Sequence, residues 1–189
     1  MLVSDLSSLE KYIADGMKAR KHVNVKEIAD VSEILYKRLK KRGKLITFGN
    51  GGSAADAQHF AAELSGRFMK ERKSFPAIAL STNTSSITAI GNDYDYSEIF
   101  SRQIEGLCSE KDFVVGISTS GNSKNVVEGL KKAREIGAFT LGLTGKNGGE
   151  VKKIVDHCIR VESGITPIIQ EVHIAIIHMI CYYFDEMLE

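Results

Sequence analysis

The sequence has few cysteines, and no two of them stand at a short spacing. Cys108, Cys158 and Cys181 are scattered along the chain and odd in number. A disulfide framework uses an even set, usually in a small secreted chain, so this pattern instead indicates small buried side chains in a reducing compartment.

A membrane segment, a targeting signal and an excess of charge are missing as well. No apolar run reaches membrane-spanning length, and residues 1–6 lack the basic and apolar regions of a signal peptide. The 25 basic and 24 acidic residues give a net charge of +1, which gives no reason to expect nucleic acid or an anionic membrane as a partner. We expect a cytoplasmic protein whose 189 residues form a single domain, residues 1–189.

Proline and glycine are rare at the start, where Gly16 is the only residue of either type within residues 3–42. Apolar residues recur there at helical spacing and predict a pair of helices that breaks near Val23 or Asn24, as part of the same domain.

After residue 42, short apolar runs alternate with helical stretches. The predicted strands are Leu45–Gly49, Ala77–Leu80, Phe113–Ser118, Phe139–Thr144 and His157–Val161. The predicted helices are Ser53–Phe68, Thr84–Ile90, Tyr96–Leu107, Ser123–Ile136, Gly149–Ile154 and Pro167–Leu188.

These strands form nearly continuous apolar runs separated by helices, which indicates a parallel sheet covered on both faces. The predicted fold is therefore α/β, a three-layer α/β/α sandwich with an N-terminal helical pair. Its functional site should lie at the carboxyl ends of the strands.

The stretch from Gly49 to Glu63 is the most informative, because a glycine-rich turn joins an apolar run to a helix. Backbone N–H groups at such a helix N-terminus suit an anion or a polar sugar. Residues 49–54 also match the dinucleotide pattern G-x-G-x-x-A, but the next strand ends without the carboxylate that would hold a ribose. A tight turn without a ligand is another alternative, although Asn50 and Ser53 supply polar groups that a turn does not require.

Histidine, glutamate and glutamine supply a second candidate set. His59 and Glu63 share one helix face and can share a proton or a metal ion. The last predicted helix carries Gln170, His173 and His178 in an otherwise apolar run. We assign His173 to the core, whereas His178 needs a polar partner among isoleucines. Gln170 and His178 stand about 12 Å apart along a helix, so they reach one point only if it lies between them or if different subunits supply them.

A second polar loop follows the third predicted strand. The hydroxyls of Ser118, Thr119, Ser120 and Ser123 converge on a helix N-terminus, which favours negative charge. Ser123 alone could be an N-cap, but one cap does not need three more hydroxyls. The loop has no Walker lysine, so it favours a monophosphate over a nucleoside triphosphate.

Asn92 and Asp93 follow the predicted helix Thr84–Ile90. They are interpreted either as a turn or as a contact for sugar hydroxyls, and the spacing does not decide between the two.

Three segments together resemble the phosphoheptose isomerases, a family of sugar isomerase (SIS) domain enzymes of bacterial heptose biosynthesis. They are GNGGSAADAQHFAAE at 49–63, ISTSGNS at 117–123 and QEVHIAIIH at 170–178, and the similarity covers essentially the whole chain. The resemblance implies a flavodoxin-like SIS fold with a five-stranded parallel sheet, a homotetramer, a sugar phosphate substrate and one zinc ion per subunit.

The same resemblance implies roles for individual residues. Glu63 and His178 are the implied acid/base residues. The implied zinc ligands are His59, Glu63, Gln170 and His178. The implied substrate contacts are Asn50, Gly51, Gly52, Glu63, Asn92, Asp93, Ser118, Thr119, Ser120, Ser123 and Gln170.

The chemistry of such a reaction agrees with these residue types. Conversion of sedoheptulose 7-phosphate into D-glycero-D-manno-heptose 7-phosphate, the first step of heptose nucleotide biosynthesis, moves a proton between C1 and C2 through an enediol. It needs a base near the carbon and an acid near the carbonyl oxygen. A donor set of nitrogen and oxygen permits zinc without demanding it.

Two alternatives belong to the same fold. One is a non-catalytic SIS protein that binds the replication initiator, which would have no physical reason to keep a full acid/base and metal set. The other is an isomerase for an arabinose or hexosamine phosphate. The apolar last helix and the apolar stripe of the leading helices further predict subunit contacts, with the active sites near the interfaces.

Overall fold

The structure is a computed structural model that describes residues 6–188. The first three residues of the predicted helical pair, 3–5, lie outside this range. Within it the elements follow in this order: α1 (Ser7–Lys21), α2 (Val25–Lys40), β1 (Leu45–Gly49), α3 (Gly52–Ser65), β2 (Ala77–Ala79), α4 (Thr84–Asp93), a 3₁₀ turn (Tyr96–Glu98), α5 (Ser101–Leu107), β3 (Phe113–Ser118), α6 (Lys124–Ile136), β4 (Phe139–Gly145), α7 (Val151–Ile154), β5 (His157–Val161) and α8 (Thr166–Glu186).

The five strands form one parallel sheet in the order β2-β1-β3-β4-β5. This is the flavodoxin-like order, in which the chain reverses its direction across the sheet between β1 and β3. The predicted five-stranded parallel α/β fold with N-terminal helices is thus confirmed. Ligands of such sheets bind beyond the carboxyl ends of the strands at the reversal point, which here is the edge where the loops after β1 and β3 leave the sheet.

The core has two layers because successive strand residues point to opposite faces. Leu45 packs into a cluster with apolar residues of α1, α2, α3 and α8, whereas Ile46 packs with residues of α5, α6 and α7. The side chain of Asn24 starts α2 by accepting hydrogen bonds from the backbone N–H groups of Lys26 and Glu27, which matches the predicted break between the first two helices.

α8 belongs to the first of these layers. It packs against α1, α2, α3, β4 and β5, and most of its apolar side chains are buried. Of the helices that the structure describes, α8 is the one long and apolar enough to span a membrane, which differs from the expectation that no apolar run reaches that length. Its packing shows that it is a core helix. That residues 1–189 form one domain stays a prediction.

The end of α4 differs from the prediction. The helix does not stop at Ile90, because the N–H of Tyr94 still donates to the carbonyl of Ile90 at 3.0 Å. Asn92 and Asp93 therefore form its last turn, and the interpretation of this pair as a separate turn is wrong. The helix-ending tendency of glycine and asparagine amounts to less than about 1 kcal/mol per residue, which the surrounding structure readily overrides.

Two other helices are shorter than predicted. The predicted helix Tyr96–Leu107 divides into the 3₁₀ turn and α5, because the chain bends to bury Ile99 and Phe100, each 1% exposed. α3 ends at Ser65, before Gly66, rather than at residue 68. The remaining ends agree within one or two residues, as helix and strand ends usually do.

Candidate active site

The loops after β1 and β3 lie side by side at the carboxyl edge of the sheet, because β1 pairs with β3 along its whole length. A reciprocal pair of side-chain amides joins them. Asn50 donates to Asn125 Oδ1 at 2.8 Å, and Asn125 donates to Asn50 Oδ1 at 2.9 Å. Sequence reasoning missed Asn125, whose only local signal is its place in the first turn of α6. Asn50 therefore connects the two loops through hydrogen bonds, and it is also a candidate sugar contact.

The glycines of the first loop allow its close approach to β3. A Cβ at Gly49 would lie 2.8 Å from the Ser53 carbonyl oxygen and 2.9 Å from the Ile117 carbonyl oxygen, so only glycine fits there. Gly51 has a φ of 55°, in the region that glycine adopts without strain. Gly51 and Gly52 are exposed, and among the described residues no side chain caps this end of α3. The N–H groups of the two residues after Gly52 donate to carbonyls of the loop at 3.0 Å, so among the described residues the N–H of Gly52 is the first donor of α3 that is available to an anion or a sugar hydroxyl.

The hydroxyls of the second loop gather around Ser118. Ser118 Oγ lies 3.0 Å from Ser123 Oγ and 3.5 Å from Ser120 Oγ. Ser123 occupies the N-cap position of α6, but its hydroxyl turns to Ser118 instead of capping the helix. The alternative that Ser123 is merely a cap is therefore not supported. Thr119 is half-buried and lies between Ser118 and Ser120 in the loop that leads to α6, and the N-terminus of that helix would favour a phosphate.

His59, Glu63 and His178 meet between α3 and α8. His59 Nε2 lies 2.8 Å from Glu63 Oε1 and 3.3 Å from His178 Nε2. One donor atom from each residue lies within 4.8 Å of the other two. The pair on α3 follows from its spacing of four residues, whereas His178 arrives through the packing of α8 against α3. The ring of Phe68 lies 5.8 Å from that of His178 and covers it on one side.

The donor set of this cluster suits a metal ion. In a tetrahedral site, bonds of about 2.0–2.1 Å separate two nitrogen ligands by roughly 3.4 Å, and the two ring nitrogens lie 3.3 Å apart. Asp56 lies one turn before His59 on α3, and its Oδ2 is buried with no hydrogen-bond partner among residues 6–188. Burial raises the pKa of Asp56 to about 6, and nearby His59 opposes the rise. A cation at the cluster would favour the charged form of this carboxyl, so the surroundings fit one.

Gln170 lies apart from this cluster in the single chain. A Cβ at Gly52 would lie 2.6 Å from Gln170 Nε2, so the amide packs against the start of α3. Along the helix this is about 10 Å from His59. The structure therefore brings His59, Glu63 and His178 together and places Gln170 beside the glycine-rich loop.

The remaining predicted residues lie at the margin of the site or outside it. Asn92 and Asp93 are exposed and hydrogen-bond to each other at 2.9 Å. His173 is fully buried and lies 3.1 Å from the carbonyl oxygen of Thr144, while burial lowers its pKa to about 4. This agrees with its assignment to the core.

Comparison with known proteins shows the class to which the chain belongs. Residues 10–145 match the family model of the SIS domain, and fold and site together define a SIS-domain protein. The chain is 56% identical over 177 residues to a probable phosphoheptose isomerase of Thermoplasma acidophilum, covering 94% of this chain and 97% of that one. It is 58% identical over 160 residues to phosphoheptose isomerase 1 of Campylobacter jejuni, covering 85% and 86%.

A solved structure gives the same result. The phosphoheptose isomerase of Neisseria gonorrhoeae superposes with a TM-score of 0.90 at 40% identity, covering 96% of this chain and 98% of that one. The chain therefore belongs to the phosphoheptose isomerase family of SIS-domain enzymes.

Proposed function

We propose that the protein is a cytoplasmic enzyme that converts sedoheptulose 7-phosphate into D-glycero-D-manno-heptose 7-phosphate, the first step of heptose nucleotide biosynthesis. The observation that carries the proposal is the convergence of His59, Glu63 and His178 within 4.8 Å. This convergence results from the packing of α8 against α3, the helix that begins at the glycine-rich loop.

The phosphate end of the substrate is assigned to the loop of hydroxyls. The hydroxyls of Ser120 and Ser123 lie within 3.5 Å of that of Ser118, and Thr119 lies in the same loop, which leads to the N-terminus of α6. Hydroxyl donors and helix N–H groups hold a monophosphate without a lysine. Backbone groups of Gly51 and Gly52, in the adjacent loop, would contact the sugar.

Proton transfer is assigned to Glu63 and His178. A carboxylate takes the proton from one carbon of the substrate and returns it to the next, while an imidazole serves the carbonyl oxygen. The loop of hydroxyls lies beside the glycine-rich loop at the start of α3, and His59 is about 10 Å further along that helix. An extended seven-carbon sugar phosphate has a similar length, roughly 9 Å from its bond lengths. The phosphate and the reacting carbons can therefore occupy the two ends of one site.

We further propose zinc as the metal, held by His59, Glu63 and His178 with Gln170 as the fourth ligand. When bound, the ion would polarise the substrate carbonyl and stabilise the enediolate, which contributes several kcal/mol. Because Gln170 lies away from the cluster of its own chain, we propose that a neighbouring copy supplies it.

The assembly is proposed to be a homotetramer with its sites near the interfaces. Leu6, Leu9, Ile13 and Met17 form a stripe along α1, and each is at least 60% exposed. Soluble monomers rarely expose such contiguous apolar surface. His178 also opens into a groove of about 360 Å³ that Arg20 of α1 lines, so a copy that covers the stripe would come close to the site.

A coupled assay for aldose production from sedoheptulose 7-phosphate tests the proposal, before and after chelation and with metal analysis of the purified protein. Turnover that falls on chelation and returns with Zn²⁺ supports it. Faster turnover of arabinose or hexosamine phosphates would instead favour another isomerase of the SIS fold. A folded protein that turns over none of these substrates would favour the non-catalytic alternative.

A further inference from the structure

Arg72 lies in the segment between α3 and β2, and its guanidinium group caps the end of α3. Nη2 donates to the carbonyl oxygen of Glu63 at 2.7 Å, and Nη1 donates to those of Leu64 at 3.0 Å and Gly66 at 3.3 Å. The last carbonyls of a helix have no partner within it and carry partial negative charge. A planar cation with several donors satisfies them together.

Asp185 of α8 holds the same guanidinium from the other side. Arg72 Nε donates to Asp185 Oδ1 at 3.0 Å, and Asp185 Oδ2 accepts from the N–H groups of Met69 at 2.9 Å and Lys70 at 3.0 Å. The side chains of Arg72 and Asp185 are only 6% and 3% exposed. Burial by itself raises the pKa of Asp185, but these N–H groups and the guanidinium hold it below its usual value, so the carboxylate stays charged.

Two aromatic rings enclose this ion pair. Arg72 Cζ lies 5.3 Å from the ring centre of Phe75 and 5.9 Å from that of Phe184, and the two rings contact each other edge to face at 5.0 Å. Cation–π contacts of this kind add attraction and exclude water. The guanidinium is thereby held in one orientation.

The position of this network relates it to the reaction. Glu63, whose carbonyl Arg72 holds, lies in the last turn of α3. Asp185 lies two turns after His178 on the same side of α8, about 10 Å further along the helix. We propose that Arg72 and Asp185 are positioning residues that fix the Glu63 carboxylate relative to the His178 ring without touching the substrate. This inference rests on the proposed roles of Glu63 and His178.

The expected consequence is a loss of turnover that exceeds any loss of folded protein. Without the Arg72–Asp185 ion pair, the last turn of α3 can fray, because its carbonyls lose the guanidinium group that bonds to them and that connects them to α8. A displacement of reacting groups by about 1 Å can lower a rate roughly 10²-fold. The phosphate site is on other loops, so the KM should change much less than the kcat.

The test compares Asp185→Asn and Arg72→Lys with a matched control, Asp112→Asn. Asp112 is equally buried at 1% exposed, pairs with Lys44 Nζ at 2.6 Å and accepts from the N–H of Ser109 at 2.7 Å. It precedes β3, at the opposite edge of the sheet from the site. After wild-type turnover of sedoheptulose 7-phosphate is established, kcat, KM and the urea-unfolding midpoint are measured for each folded variant.

We expect Asp185→Asn to lower kcat roughly 10- to 100-fold with KM within about threefold. Arg72→Lys, which keeps the charge but not the fork of donors, should lose less. Asp112→Asn should lower the unfolding midpoint comparably and keep kcat within about twofold. Wild-type kcat in folded Asp185→Asn, or an equal loss of kcat in Asp112→Asn, would overturn the inference.

The NMR chemical shifts of the His59 and His178 rings give a readout that does not depend on turnover. These shifts should change in Asp185→Asn and stay unchanged in Asp112→Asn if the Arg72–Asp185 pair positions the cluster. If the wild type turns over no sugar phosphate, the proposed function fails, and unchanged ring shifts in Asp185→Asn would separately refute the positioning.

Discussion

Substitution of Glu63 by glutamine tests the proposed acid/base chemistry most directly. Glutamine has the size and shape of glutamate and can still hydrogen-bond to His59, but it cannot take up the substrate proton. Glu63 lies 2.8 Å from His59, with the two side chains 20% and 44% exposed. A side-chain pair as exposed as this contributes about 0–1 kcal/mol to stability even when it is ionic, so the free energy of unfolding should change by less than about 1 kcal/mol.

The expected change in rate is far larger. Loss of a positioned acid/base group removes about 10²-fold or more of the rate, which equals about 2.7 kcal/mol of transition-state stabilisation. The coupled aldose assay measures kcat, and urea unfolding measures stability in the same preparation. Glu33→Gln is a matched control, because Glu33 forms an ion pair with Lys37 at the same i,i+4 spacing on α2. It should keep wild-type kcat.

Either of two results would refute the reasoning. Near-wild-type turnover in folded Glu63→Gln would exclude Glu63 from proton transfer. A loss of turnover that merely follows a collapse of the unfolding midpoint would show that the carboxylate is structural.

Three further predictions concern the phosphate site, the assembly and the core. Ser120→Ala and Ser123→Ala should each raise KM roughly tenfold with little change in kcat, since a hydrogen bond to a charged group contributes about 1.5 kcal/mol; a collapsed kcat at unchanged KM would contradict this placement. Mixed oligomers of Glu63→Gln and Gln170→Ala should recover about a quarter of the wild-type activity if a neighbour supplies Gln170, and no recovery would place every ligand in one chain. His173, whose pKa burial lowers to about 4, stays neutral in the folded protein but takes a proton in the unfolded chain below about pH 6.5. Stability should therefore be complete above that pH and fall by up to about 3 kcal/mol as the pH drops from 6.5 to 4; urea unfolding of His173→Gln should lose this slope, and an identical slope would contradict the assignment.

Much of the fold could be predicted because it depends on local patterns. Strands such as β3 are apolar from Phe113 to Ile117, a pattern that only a sheet covered on both faces requires. Asn24 marks the start of α2 because its side chain bonds to the next backbone N–H groups, an interaction within four residues. Helix ends that depend on distant contacts were predicted less well: α4 continues through Asn92 and Asp93, and the chain bends at Ile99 only to bury it.

The residues of the candidate site also fall into two groups, those that local sequence predicts and those that depend on distant contacts. The spacing of His59 and Glu63, the glycines of the first loop and the hydroxyls of the second follow directly from residue order, because each lies within one turn or loop. The sequence by itself therefore determined the parallel sheet, the kinds of group at its carboxyl edge and the family.

Only the tertiary structure decided which of these groups meet. His178 reaches His59 through the packing of α8 against α3, and the same packing holds Gln170 beside Gly52 instead of at the cluster. Arg72 has no local pattern that marks it, since its partners are the end of α3 and Asp185, 113 residues further along the chain. Contacts of this kind arise from the way two buried helix faces fit together, and the order of residues along one helix does not contain that information.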